Sequence, residues 1–245
     1  MSISFSIITH GHDEMLPLLL LDLRKIWVKR NFTEMEILLT LNLANENHAY
    51  LSDFLDLPIR LYINEKPLGF GMNQNQAFKR SMGSVFIIIN PDIRLLDIDI
   101  DLMLNNLQTG YIGAIGPRVV DKNGFLQDSA RKFPTFWRLL KRNLFKIEEN
   151  DYKNTQEPIF VDWLAGMFIM FNREAWQQVQ GFNTKYFMYF EDVEICRRMH
   201  NAGWNIIYNP LTTVQHDAQR ASHKNLIHLY WHLRSAFRFF ASTHI

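Results

Sequence analysis

An aromatic run, Tyr186-Phe187-Met188-Tyr189-Phe190, leads straight into two carboxylates, Glu191 and Asp192. Acidic residues are common in the first turn of a helix, where they meet free backbone N–H groups and the positive end of the dipole. That accounts for one of the pair. Aromatic walls do something further, because they strip water from a carboxylate and raise its pKa toward the range of a useful general base. Upstream, Asn90-Pro91-Asp92 follows the apolar run Val85 to Ile89. Asp in such a turn often does no more than bond its own downstream backbone. A carboxylate just beyond a buried strand, however, also stands where open α/β sheets meet their ligands. A hard divalent cation that bridges phosphates takes only one or two carboxylates from a protein, so Asp92 suffices as an anchor. His216, in Thr213-Val214-Gln215-His216-Asp217-Ala218, is the third candidate, since imidazole can complete a site with a carboxylate and phosphate oxygens. With nine histidines in the chain, any one of them is a weak signal alone. Together these residue types describe metal-assisted group transfer with a carboxylate base.

The elements that must position them can be read from apolar spacing. Phe5 to Thr9 reads as a strand that stops at the polar cluster His10-Gly11-His12-Asp13-Glu14. Leu16, Leu19, Leu20, Leu23, Ile26 and Trp27 recur at helical spacing, which places Asp22, Arg24 and Lys25 on the polar side. Strands follow at Glu36 to Leu41 and Ile59 to Ile63. Gly69-Phe70-Gly71 then reads as a turn feeding a helix that carries Asn73 and Asn75, a weak phosphate-binding signal without a full dinucleotide or P-loop spacing. Val85 to Ile89 has the continuous β-branched character of a strand buried on both faces. Further strands are predicted at Tyr111 to Ile115, Trp163 to Phe171 (a long one) and Trp204 to Tyr208. The alternation of strand and helix predicts an α/β fold with a mostly parallel central sheet flanked by helices, and ligands beyond the carboxyl ends of the strands. Lys122-Asn123-Gly124 reads as a hairpin turn. Between Val119 and Pro158 the pattern weakens, and the segment is read as a mobile, acceptor-facing excursion holding the basic and aromatic stretch Arg131 to Arg138. Near the C-terminus Leu226, Leu229, Tyr230, Leu233, Phe237 and Phe240 share a helical face flanked by Lys224, Arg234 and Arg238. The ordinary reading, a helix packed on the core, is preferred to the sharper one, a basic amphipathic helix on an anionic membrane surface.

The chain has 245 residues, 47% hydrophobic and 21% charged, enough for one full core, and a single domain over 1–245 is expected. The formal net charge of +1 provides no global field for nucleic acid, which is not expected as a partner. One cysteine, Cys196, admits no intrachain disulfide and fits a reducing compartment, so the expected location is cytoplasmic, with the inner face of the cell membrane as a peripheral site. No export signal is expected from the first residues, and no apolar run approaches the roughly 20 residues of a membrane span. Zinc-peptidase and serine-hydrolase motifs are missing from the sequence.

Taken in order, the motifs resemble the inverting family 2 glycosyltransferases, in their bacterial rhamnosyltransferase-like branch. The resemblance runs through Ser6-Ile7-Ile8-Thr9, Leu68-Gly69-Phe70-Gly71-Met72-Asn73-Gln74-Asn75, Asn90-Pro91-Asp92, Trp163-Leu164-Ala165-Gly166-Met167 and Arg173-Glu174-Ala175. It continues through Gly181-Phe182-Asn183, Phe190-Glu191-Asp192-Val193-Glu194, Ala202-Gly203-Trp204 and His216. It implies a GT-A fold, a Rossmann-like nucleotide-diphospho-sugar transferase architecture. Residues 1–118 would bind mainly the nucleotide-sugar, 119–223 would serve the acceptor and catalysis, and 224–245 would form the amphipathic helix. By the same resemblance, Asp92 and His216 would hold Mg²⁺ or Mn²⁺, and Thr9, His10, Asn42, Gly71, Asn75, Asn90, Asp92 and Gly166 would line the donor. Asp192 would be the catalytic base and Glu191 would orient it or the acceptor. The implied partners are a dTDP- or UDP-linked sugar, with dTDP-rhamnose preferred, and a saccharide or lipid-linked oligosaccharide of cell-surface polysaccharide synthesis. One departure is expected: after the second strand, where relatives have an acidic residue for the base, Thr40-Leu41-Asn42-Leu43-Ala44 offers only Asn42. An inactive, sugar-binding or scaffold relative is the competing class.

Overall fold

A computed structural model describes residues 1–12, 14–30, 34–135, 151–152, 155–217 and 226–242. In chain order the strands are β1 (Ile3–Thr9), β2 (Met35–Leu41), β3 (Ile59–Ile63), β4 (Val85–Ile89), β5 (Ile93–Asp97), β6 (Ile112–Val120), β7 (Ala130–Arg131), β8 (Ile159–Phe160), β9 (Trp163–Leu164), β10 (Phe168–Asn172) and β11 (Asn205–His216). The helices are α1 (Leu16–Lys29), α2 (Phe70–Arg80), α3 (Ile100–Leu107), α4 (Arg173–Gln178), α5 (Glu191–Asn201) and α6 (Leu226–Ala241). A short 3₁₀ turn covers Ala49–Phe54.

The main sheet runs β3-β2-β1-β4-β10-β6-β11-β5, with β8 on β11. β1 to β4 are mutually parallel, with Thr9 opposite Leu41 and Ile7 opposite Ile89, so the ends of β1, β2 and β4 lie side by side. β10 enters antiparallel between β4 and β6. Every residue of β2 and β4 is buried, as strands covered on both faces require. Side chains alternate between two cores. Phe5, Ile7, Ile87 and Ile89 meet Leu19, Leu20 and Leu23 of α1. Phe86, Ile88 and Phe171 meet Trp176 and Phe182 on the other face, where Trp176 lies 5.0 Å from Phe86 and 4.9 Å from Phe171 at edge-to-face angles.

The expected strands at 5–9, 36–41, 59–63 and 85–89 and the glycine-led helix are present, as is the 122–124 turn, where Asp121 N–H donates to Phe125 O (2.8 Å). Four readings change. The long strand 163–171 is broken into β9 and β10 by a tight turn at Ala165–Met167, in which Met167 N–H reaches back to Ala165 O at 2.8 Å. The strand at 204–208 continues to His216, and β5 was not foreseen. Asp22 is not on a solvated face; it is buried, and accepts from Arg94 Nε (2.7 Å) and Leu95 N–H (3.1 Å), which ties α1 to β5.

The fourth concerns α6. Leu229, Tyr230, Leu233 and Phe237, expected to pack on the core, face solvent, while His228, Trp231, His232, Ser235 and Phe239 meet the 187–190 segment. Phe240 packs inward. Lys224, the side chain of Leu226, and residues 136–150 and 153–154 of the weakly patterned segment lie outside the described residues.

Candidate active site

β4 ends at Ile89, and Asn90-Pro91-Asp92 turns the chain into β5, with Asn90 O accepting from Ile93 N–H (3.2 Å). β11 returns antiparallel to β5, with His216 opposite Ile93, and Asp217 N–H donates to Asp92 O (3.0 Å). That register carries His216 to Asp92: Nε2 and Oδ2 lie 3.2 Å apart, and both side chains are nearly buried. Gln127 fixes the imidazole. Its Nε2 donates to His216 O (3.0 Å), so its Oε1, 2.6 Å from Nδ1, is the acceptor, and Nδ1 carries the hydrogen. Nε2 is left facing Asp92. An outer carbonyl that sets the tautomer and ring plane is the usual support of a metal-ligating histidine.

The pair fits a divalent cation. Two ligands at right angles about an octahedral ion with ~2.1 Å arms stand ~3.0 Å apart, close to the observed separation. Asp92 Oδ1 is buried and has no hydrogen-bond partner among the described residues, so it is left with an unmet need for a donor or cation. No set of three or more His, Cys, Asp or Glu ligands occurs among the described residues. Two ligands are what a protein supplies when phosphate and water complete the shell.

The second centre sits at the start of α5. Tyr189 and Phe190 both adopt left-handed backbone (φ 69° and 66°), a conformation that costs an aromatic L-residue on the order of 1–2 kcal/mol. α6 holds the strain in place: Tyr189 Oη is 2.9 Å from His228 Nδ1, Phe190 lies 5.6 Å from Phe239, and Ser235 Oγ donates to Met188 O (3.0 Å). The chain therefore enters α5 with Glu191 buried and Asp192 half-buried. Asp192 Oδ2 accepts from Gly166 N–H (3.1 Å) and Oδ1 from Val193 N–H (2.8 Å), yet burial still raises its pKa. Burial, and then the charge of Asp192, push Glu191 up to about 8. Glu191 Oε2 is buried without a hydrogen-bond partner among the described residues. A carboxyl pushed that high holds Glu191 toward its protonated form at neutral pH.

The broken strand joins the two centres. Gly166 N–H holds Asp192, Met167 O accepts from Asn90 N–H (2.9 Å), and Ala165 N–H donates to Ser129 O (2.7 Å). A Cβ on Gly166 would come into ordinary contact with the Phe70 ring at 3.6 Å and with Asp192 Oδ2 at 3.8 Å. Residues 126–135, expected to be mobile, are tied into this region. Arg131 pairs with Trp163 across β7 and β9, lies over its ring, and its charge acts on Asp192; Phe133 N–H donates to Asp162 Oδ2 (2.7 Å).

Beyond β1 and β2, Asn42 is the hub of a polar network. Its Oδ1 accepts from Asn64 Nδ2 (2.9 Å), Asn73 Nδ2 (3.0 Å) and Leu68 N–H (2.9 Å), and its Nδ2 is 3.1 Å from His10 Nδ1. Thr9 is buried, with its hydroxyl bonded to Glu46, whose other oxygen accepts from Leu43 N–H (2.9 Å). Glu46 is an acid beyond the Thr40–Ala44 stretch, and both of its oxygens are engaged within the protein, by Thr9 and Leu43. Asn64 was missed, since an isolated asparagine carries no spacing signal, and Asn73, read with Asn75 on the glycine-led helix, joins the Asn42 network. Two donor expectations are corrected. Asn75 faces away, with its amide spent on both backbone groups of Phe182 (2.8 and 2.9 Å). At Gly71 a Cβ would stand 2.9 Å from Phe182 Cβ, so that glycine serves close packing of α2 on the 181–182 turn. Gly181, at φ 68° and with Asn75 Oδ1 where a Cβ would go, completes that junction.

The profile of the family described as "Glycosyltransferase like family 2" matches residues 103–230, more than half of the chain. The N-acetylglucosaminyl-diphospho-decaprenol L-rhamnosyltransferase of Mycobacterium tuberculosis is 31% identical over 64% of this chain, which spans 55% of that relative's length. Rhamnosyltransferase WbbL of Escherichia coli is 28% identical over 98% of this chain and 92% of its own. The fold is similar to that of GalNAc-T7 solved with UDP, GalNAc and Mn²⁺ (TM-score 0.65, 16% identity, 89% of this chain and 44% of that one). It is also similar to mannosyltransferase PcManGT of Pyrobaculum calidifontis with GDP-Man and Mn²⁺ (TM-score 0.60, 17% identity, 96% and 64%). With this α/β architecture, an acidic turn after β4 and an acidic helix start joined to it through Gly166 and Met167, the chain belongs to the family 2 glycosyltransferases and has a GT-A fold.

Proposed function

We propose that the chain transfers a glycosyl group, with inversion and with a divalent cation, from a nucleotide-sugar to a saccharide acceptor of cell-surface polysaccharide synthesis. The observation that carries this is the pair of centres joined through Gly166 and Met167: Asp92 with His216 on one side, and buried Glu191 with half-buried Asp192 on the other. Asp192 takes the proton from an acceptor hydroxyl, whose oxygen attacks the anomeric carbon. The carbon–oxygen bond to the diphosphate breaks, and its electron pair leaves on the nucleoside diphosphate. Mg²⁺ or Mn²⁺ held by Asp92 and His216 would neutralise charge growing on that leaving group. Protonated Glu191 is a hydrogen-bond donor beside the base, suited to orienting it or the acceptor. Asn90, Gly166, Thr9, His10 and Asn42 edge the donor side, with residues 1–118 serving the nucleotide-sugar and 119–223 the acceptor. The proposed setting is the cytoplasmic side of the cell membrane.

The names of the mycobacterial and E. coli relatives support rhamnose as the sugar, taken here as dTDP-rhamnose, and the mycobacterial name also supports a lipid-diphosphate-linked saccharide as acceptor. The neighbour solved with UDP favours a UDP-hexose as the second reading. Calorimetric titration of dTDP and UDP, each with and without Mn²⁺, separates them. Binding of dTDP that is lost in Asp92→Ala is expected; Mn²⁺-dependent binding of UDP alone would transfer the assignment to the second reading. Binding of neither would remove the enzyme reading in favour of an inactive relative.

A further inference from the structure

α6 carries apolar residues on two faces. The inner one clamps the 187–190 segment. On the outer one Ile227, Tyr230, Leu233 and Phe237, spaced three, three and four residues apart, form a stripe along the helix and are 54 to 78% exposed. Leu229, at 54%, widens it. A surface stripe of this kind is uncommon on a water-soluble face and marks a contact.

The chemistry beside it names the contact. A cleft of about 350 Å³ at the flank of α6 is lined by Thr184, Lys185, Phe187, Arg234, Ser235 and Arg238, three cations and no carboxylate. Arg234 and Lys185 are exposed, and Arg238 is half-buried, with its guanidinium donating to Lys185 O and lying 5.8 Å from the centre of the Tyr186 ring. α6 itself contains no acidic residue. Phe187, 42% exposed, stands at the border between cleft and stripe and is 4.8 Å from Trp231. An apolar stripe bordered by cations and aromatics fits the plane of an anionic bilayer, with side chains among the acyl chains and phosphates over the cations. A two-fold contact with a second copy centred on this patch would instead bring the same cations against each other.

We infer that the outer face of α6, with Lys185, Arg234 and Arg238, is a docking surface for an anionic phospholipid bilayer. No helix among the described residues is long and apolar enough to cross a membrane, so this surface would hold the protein on the leaflet without insertion. Because the inner face of α6 grips Tyr189 and Phe190, docking would place the Glu191–Asp192 turn within about one helix diameter, ~10 Å, of the headgroups. Only that last consequence rests on the proposed transfer; the docking itself does not.

Flotation of the full chain with phosphatidylcholine vesicles, with and without phosphatidylglycerol, tests this. Binding to the anionic vesicles only is expected. Lys185→Glu with Arg234→Glu should lower partitioning at least twentyfold, since each surface cation contributes about fivefold. Leu233→Glu with Phe237→Glu should abolish it, with thermal unfolding and dTDP titration unchanged in both variants because all four side chains are exposed. Equal flotation of wild type and both variants, or none of the wild type on anionic vesicles, overturns the inference. A dimer seen by light scattering that Leu233→Glu with Phe237→Glu dissolves, without vesicle binding, also overturns it and assigns the stripe to a second copy. Loss of vesicle binding with intact nucleotide binding would leave the transferase reading untouched, so the two fail separately.

Discussion

Two pairs of carboxylates in this molecule meet opposite treatment. In the scaffold, Asp22 accepts from Arg94, Leu95 N–H and Lys25, and Glu36 from Ser4, Met82 N–H and Arg60. Burial alone would raise both pKa values, but the hydrogen bonds and the arginine charges outweigh it and hold both below their ordinary values. At the start of α5 burial wins instead. Among the described residues Glu191 has an oxygen without a partner, Asp192 has only backbone N–H donors, and the charge of Asp192 bears on Glu191. A fold that neutralises its carboxylates in one place and leaves them under tension in another is separating structure from chemistry.

The comparison breaks first on stability. Asp22→Ala leaves the Arg94 guanidinium and Leu95 N–H without their acceptor at the α1–β5 contact, and a loss of about 3 kcal/mol is expected, the lower range for a severed buried pair because Arg94 is partly exposed. Urea titration measures it, and a loss below about 1 kcal/mol would mean that the pair is merely a surface bridge. Asp192→Asn should do the reverse. Stability is kept, dTDP titration stays near normal, and turnover falls about a hundredfold or more, the scale of a lost general base. An equal fall in nucleotide affinity would place Asp192 in the nucleotide site. Gln127→Ala, which frees the His216 ring while sparing both metal candidates, should weaken Mn²⁺-dependent nucleotide binding ten- to a hundredfold. An unchanged Mn²⁺ dependence would show that His216 needs no such support.

The strands of the N-terminal half of the sheet were legible because β2 and β4 are fully buried and carry unbroken apolar runs, and Asp92 could be placed from where β4 must stop. Glu191 and Asp192 stood out through the aromatic approach, although the left-handed pair at Tyr189 and Phe190 could not be read, since neither residue type favours that backbone. The turn that joins the centres was hidden for a different reason. Apolar residues on both sides of Ala165-Gly166-Met167 make the segment read as one strand, whereas the turn that breaks it is held by Met167 N–H on Ala165 O and by donation of Ala165 N–H to Ser129, a partner distant in sequence. Gln127 and Glu46 belong to the same class: their roles depend on register and loop closure, which spacing does not encode. On α6 the pattern of apolar residues was read correctly and their direction was not, because both faces are apolar and the packed one is built from His, Trp, Ser and Phe.

The sharpest test of the contrast turns on a sign. For Asp22, whose folded pKa lies below 3.8, stability is present above that value and is lost as pH falls through the folded pKa. For Glu191 the folded value, about 8, lies above the ordinary 4.5, so between those limits the unfolded chain has released a proton that the folded one retains. Folding then loses stability as pH rises from about 4.5 to about 8, and the loss is constant above. Glu191→Gln has nothing to titrate there. Its stability relative to wild type should climb steadily between pH 5 and 8 and level off beyond, with Asp192 contributing alike to both proteins. Urea midpoints at four pH values across that window read the difference directly. Parallel curves would mean that Glu191 ionises in the folded protein at its ordinary value, and then the carboxylates of α5 would be held no differently from those of the scaffold.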